Sequence, residues 1–101
     1  MAESSLHFRL DPSRAEPLYA QIQAQIKYLL ASGGLRAEDE LPSVRAMAER
    51  YLINPNTVVR AYAELEREGL VYKKRGTGTF ISQAAVDMAT DDKQRIVADR
   101  K

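Results

Sequence analysis

The pair Asn54-Pro55 constrains this chain more than any other feature of its sequence. Asparagine caps helices, and proline suits the first helical position, where the amide has no partner anyway. The pair therefore opens a helix. Val58, Ala61, Tyr62 and Leu65 recur at helical spacing behind it and give that helix a single apolar stripe. Just upstream, Ser43 is placed to cap another helix, with Val44, Met47, Ala48 and Tyr51 on one face. Only Leu52-Ile53 remains to join the two. A helix as short as the first of these does not persist alone in water and must pack on a neighbour. The spacing offers the preceding helix, from Pro17 to Ala31, as that neighbour.

The remaining punctuation completes the outline. In the Pro17–Ala31 helix, Leu18, Ile22, Ile26 and Leu29 or Leu30 form the apolar stripe, and Ser32-Gly33-Gly34 stops it. Glu38, Asp39 and Glu40 lie in the loop that follows. Gly69 closes the helix begun at Asn54. Leu70–Lys74 and Thr79–Ser82 read as two strands, joined through Arg75-Gly76-Thr77-Gly78 as a tight hairpin. Leu6–Leu10 alternates and can add one short strand before the turn at Asp11-Pro12-Ser13. Residues 83–101 read as a helical tail, in which Ala85, Met88, Ala89, Asp92 and Ile96 only partly define a stripe. A dimer contact and a frayed end are both open for it. The expected fold is mainly α with a small β-hairpin, a winged helix-turn-helix. It divides into an N-terminal segment (1–16), the winged helix-turn-helix (17–82) and the tail (83–101).

Composition narrows the function. A chain of 101 residues suits one small domain with tails, and 45% hydrophobic residues support a folded core. No apolar run approaches the ~18 residues that span a membrane. The first ten residues lack the basic-then-apolar order of a secretory signal. The absence of cysteine excludes disulfides and thiolate chemistry and is compatible with a reducing cytoplasm, the expected location. The net charge of +1 is unevenly spread. Residues 42–82 hold Arg45, Arg50, Arg60, Arg67, Lys73, Lys74 and Arg75 against Glu49, Glu64, Glu66 and Glu68, whereas acidic residues prevail before position 42. His7 is the single histidine and has no visible set of co-ligands, so neither a metal nor a cofactor is expected. Nothing in the pattern marks an enzyme: there is no evident carboxylate pair in a cleft, and Arg75-Gly76-Thr77-Gly78 precedes a strand rather than a phosphate-cradling helix.

Double-stranded DNA presents phosphate oxygens and base edges. Reading it takes cations or amides for the former and groove-reaching side chains for the latter. Three elements here carry such groups. The start of the third helix offers Asn54, Pro55, Asn56 and Thr57, with Arg60 one turn along. Asparagine can pair two-pronged with adenine, and a threonine methyl can meet a thymine methyl. The start of the second helix offers Ser43, its free amides and Arg45. The hairpin tip lifts Lys73, Lys74 and Arg75 beside Gly76, Thr77 and Gly78, where glycine lets the backbone approach a phosphate or the minor groove. Taken singly, each has a plainer explanation: a cap for Asn54, a solvated surface for Thr57 and Arg60, a charged hairpin tip for Lys73 to Arg75. Tyr51 and Tyr62 read as core. Glu64, Glu66 and Glu68 with Arg67 read as a solvated helix end facing away from DNA.

The runs Leu41-Pro42-Ser43-Val44-Arg45, Asn54-Pro55-Asn56-Thr57-Val58, Arg60-Ala61-Tyr62, Leu65-Glu66-Arg67-Glu68-Gly69-Leu70 and Arg75-Gly76-Thr77-Gly78-Thr79-Phe80 resemble the DNA-binding domain of the GntR family. Phe8-Arg9-Leu10-Asp11 and Pro17-Leu18-Tyr19-Ala20-Gln21-Ile22 resemble its short YtrA-type branch, so the likeness covers about residues 6–82. The resemblance implies a sequence-specific, usually dimeric regulator, most often a repressor on a palindromic operator. Carried over by position, its DNA contacts are Arg45, then Asn54 to Thr57, then Arg75 and Gly76. Val59 stands where some relatives carry a DNA-contacting arginine, which leaves Arg60 as the phosphate contact. Leu52 stands where relatives often have glycine, at a cost on the order of 1 kcal/mol if the backbone there is left-handed. The large C-terminal effector domain of most members has no counterpart, and the resemblance specifies no small-molecule effector. An alternative is that this is the DNA-binding portion of a larger fusion protein with a C-terminal effector or aminotransferase-like domain. A winged helix used to bind protein is the remaining alternative.

Overall fold

A computed structural model describes residues 6–87. Helix α1 spans Leu18–Ser32, with Pro17 as its N-cap residue rather than inside the first turn. Pro17 is extended at φ −61° and ψ 153°, and its carbonyl still accepts the amide of Gln21 at 3.0 Å. At the other end Gly33 is left-handed and returns its amide to the Leu29 carbonyl. Helix α2 spans Val44–Tyr51 behind Ser43, whose hydroxyl accepts the Ala46 amide at 3.0 Å. Helix α3 spans Pro55–Arg67 behind Asn54, whose side chain accepts the Asn56 amide at 2.8 Å. Its C-cap is Glu68, and Gly69 follows at φ 83°.

Strands β1 (Val71–Lys74) and β2 (Gly78–Ile81) pair antiparallel, with Val71 opposite Ile81 and Lys74 opposite Gly78. Both lie within about one residue of the expected strands. The other edge of β2 is also occupied. Glu40 bridges Phe80, Leu41 donates its amide to Thr79, and Glu38 and Asp39 exchange backbone bonds with Ile81. The acidic loop thus covers an edge that would otherwise present open hydrogen-bonding groups.

Helix α3 is the hub. Val58, Ala61, Tyr62 and Leu65 are its buried side chains, and it packs against α1, α2 and β1. The short helix α2 therefore leans chiefly on α3, not on α1 as expected. The reason is geometric: a tight turn at Leu52-Ile53 folds α2 back onto the helix that follows it. The core joins Ile22 and Ile26 of α1, Met47 of α2, Val58 and Leu65 of α3, and Ile81 of β2 with Leu41.

The N-terminal segment departs from expectation. Leu6 and Phe8 are buried and their neighbours exposed, yet no strand forms. Its polar backbone is held by side chains rather than by another strand. Gln25 accepts the Arg9 amide at 2.9 Å and donates to the Arg9 carbonyl at 2.7 Å. Gln21, one turn earlier, does the same for Asp11 and also donates to the Glu16 carbonyl. Tyr51 accepts the Phe8 amide and meets the Phe8 ring edge-on. At the far end Ser82 accepts the Ala85 amide, and residues 83–87 are helical, with Ala85 buried. The rest of the expected tail lies outside the described residues. Among those described, no helix is long and apolar enough to cross a membrane, and no cluster of His, Cys, Asp and Glu could hold a metal.

Candidate nucleic-acid interface

A short series of contacts connects the three elements that carry the candidate residues. Tyr62 on α3 donates its hydroxyl to the Pro42 carbonyl at 2.8 Å, in a buried bond. Pro42 immediately precedes Ser43, the cap of α2. Leu41, one residue earlier, is bonded to Thr79 in β2 at 2.9 Å. The leading end of α2 is thereby fixed between α3 and the hairpin. Burial raises the Tyr62 phenol well above its ordinary value, with Tyr51 adding a smaller push, so its hydroxyl keeps the proton this bond requires.

Around α3, residues advance by about 100° each. Asn56 and Ala63 occupy the middle of the exposed side. Val59 lies toward the Tyr62 flank, which faces Pro42, while Arg60 and Glu64 lie toward α1. Asn56 is exposed in the first turn. Thr57 is half-buried beside it, its amide bonded to the Asn54 carbonyl. Asn54 and Pro55 are exposed as well, and the Asn54 carbonyl group of the side chain is occupied as a cap.

Arg60 is less free than its sequence position suggests. Its guanidinium stacks 3.8 Å from the centre of the Tyr19 ring and bonds Glu64 at 3.3 Å. The Gln23 amide also donates to Glu64, and that bond, more than Arg60, holds the Glu64 carboxyl below its usual value. Glu64 therefore does not stand in open solvent as expected; it tethers α3 to α1. A phosphate contact by Arg60 would have to compete with this arrangement.

The other cations are more accessible. Arg45 is paired with Glu49 at 3.2 Å but its side chain is 87% exposed. Lys73 and Arg75 are exposed, and neither is ion-paired among the described residues. Lys74 is exposed too, with its ammonium 4.9 Å from the centre of the Phe80 ring. Gly76 sits at φ 74° in the tip, a left-handed turn that any side chain would strain. Thr77 donates its amide to the Lys74 carbonyl to close that turn. Gly78 lies beside the Glu40 carboxylate, where an added Cβ would come within 2.6 Å. Ser43 is exposed, its hydroxyl already used as a cap.

The sequence profile of the bacterial regulatory proteins of the gntR family matches residues 18–81, the span from α1 through β2. The chain belongs to the gntR family. Within it, the chain is 41% identical over 92 residues to the HTH-type transcriptional repressor YtrA of Bacillus subtilis, a stretch covering 91% of this chain and 71% of that protein. Among solved structures, YtrA of Sulfolobus acidocaldarius, a GntR-family transcription factor, superposes with a TM-score of 0.70 at 30% identity, covering 90% of this chain and 97% of that one. The N-terminal domain of AraR, solved in complex with the operator variant ORR3, superposes with a TM-score of 0.61 at 25% identity, covering 66% of this chain and 96% of that one. This gntR chain is thus a transcriptional regulator with the winged helix-turn-helix domain of its family, of the YtrA type.

Several features of this gntR domain had no place in the sequence reading. The glutamine clamps of Gln21 and Gln25 are one; a buried-stripe position filled by glutamine beside Ile22 was their only trace. The left-handed Glu38, whose carboxylate accepts from the Tyr72 hydroxyl and raises that phenol, is another. The apolar exposure of Val59, at 48%, is a third.

Proposed function

We propose that this gntR chain acts as a homodimer in the cytoplasm, where it binds double-stranded operator DNA and represses transcription. The observation that carries the reading is the bond from Tyr62 to Pro42, followed in sequence by Ser43 and Arg45. It holds Pro42, just before Ser43, against Tyr62 in the middle of α3, with the hairpin attached through Leu41. Asn56 and Thr57 then read base edges. Ser43, Arg45, Lys74, Arg75 and the backbone of Gly76 to Gly78 hold phosphates, with Asn54 and Pro55 shaping the entry of α3 into the groove and Arg60 at its α1 flank. The operator complex of the AraR domain supports this assignment of the same domain type to DNA. Two copies related by a two-fold axis would set their α3 helices about 34 Å apart and select a palindrome.

Selection of bound duplexes from a random pool tests the proposal. An enriched, symmetric site whose affinity falls steeply with salt is expected. Equal retention of every duplex, or none at low salt, would overturn it.

A further inference from the structure

On the exposed side of α3, Asn56 and Ala63 lie in the middle and Val59 toward the leading end of α2, and none of the three is a cation. Arg60 is drawn to the opposite flank by Tyr19 and Glu64. Arg67 stands at the last residue of the helix, far from the first turns that meet base edges. Guanine is read chiefly through its two major-groove acceptors by arginine or lysine; these positions of α3 carry neither, and the exposed arginine at the leading end of α2 is Arg45. It offers instead one side-chain amide and one branched apolar group. An amide suits adenine, and an apolar group suits the C5-methyl that distinguishes thymine.

Val59 is 48% exposed, against full burial for its neighbour Val58. The other large exposed apolar side chains among the described residues, Tyr28 and Leu52, lie on α1 and in the turn before α3. Val59 alone projects from the exposed side of α3. It comes one turn after Asn56, next to the row that Tyr62 ties to Pro42. Ala63, a further turn along, is small and exposed, so no bulky side chain shields Val59 from a groove floor.

We propose that Val59 is a specificity-determining residue that packs on a thymine methyl in each half-site, beside an adenine held by Asn56. The base pair under Val59 is then A·T. This rests on the DNA-binding reading above and names the bases it selects.

The test begins from the duplex enriched by the full chain. Each thymine is replaced in turn by deoxyuridine, which pairs identically but lacks the methyl. Replacement in one half-site is expected to weaken binding about 4-fold, the worth of one buried methyl, and in both half-sites about 15-fold. The same replacement should leave the affinity of Val59→Ala unchanged, because the contact is already gone. Thr57→Ser, which removes only the Thr57 methyl, should retain the full methyl effect. Val59 is half exposed, so its truncation spares the core, and an unchanged melting temperature checks this. If no thymine shows a methyl effect that is lost in Val59→Ala and kept in Thr57→Ser, the inference is overturned while DNA binding stands. Failure to enrich any duplex removes the DNA-binding reading and this inference with it.

Discussion

Leu52 adopts φ 55° and ψ 47°, a left-handed conformation that costs an L-residue roughly 1–2 kcal/mol. Its side chain is 89% exposed, so burial recovers little of that cost. Thermal melts should therefore rank Leu52→Asn above the native chain by up to about 1 kcal/mol, and Leu52→Val below it, since branching at Cβ resists positive φ. The reverse order would show that the turn is held by contacts of the leucine itself. Gln21 presents the opposite case. It is 1% exposed and fully engaged, bonding Asp11 and Glu16 through three hydrogen bonds. Gln21→Leu keeps the volume but strands those backbone groups, and should lower unfolding free energy by about 1–3 kcal/mol in urea titration. The family resemblance marks Leu52 as a glycine position and leaves its backbone conditional; the structure makes it left-handed. The role of Gln21 was not legible, because glutamine on an apolar stripe does not say which backbone it will meet.

The helices and the hairpin were legible as elements. Ser43, Asn54-Pro55 and Gly33 mark ends that depend on local backbone chemistry, and each acts where expected. The N-terminal segment was misread because alternation of Leu6, Phe8 and Leu10 reports one buried side, not the identity of the hydrogen-bonding partner. Here that partner is a pair of glutamines on α1. At the same scale, α3 and the hairpin should make distinguishable contributions to DNA binding. Arg75→Ala, at the exposed tip, should weaken binding to all duplexes alike and flatten the salt dependence. Asn56→Ala should instead reduce the preference for the selected site by ~1–3 kcal/mol, leaving weak nonspecific binding nearly intact. Fluorescence anisotropy against the selected and a scrambled duplex separates the two; identical losses on both duplexes for Asn56→Ala would remove it from base reading.

Across the molecule, α3 is both the element proposed to face DNA and the element on which α1, α2 and β1 rest. Its buried and exposed sides are therefore mechanically one object. Leu65→Ala opens a cavity where all these contacts meet and should cost about 2–5 kcal/mol, with helical and hairpin signals lost in a single transition. Loss of the hairpin alone would show that the wing rests on the 38–41 segment rather than on α3. From the sequence came the caps, the stripes and the identity of the family, because each depends on residues near one another in the chain. Tertiary structure alone decided that α2 leans on α3, that Arg60 is drawn to Tyr19, and that Tyr62 locks Pro42 so the leading end of α2 lies beside α3. These depend on residues that are distant in sequence and meet only when the apolar stripes are buried together, which local propensity does not encode.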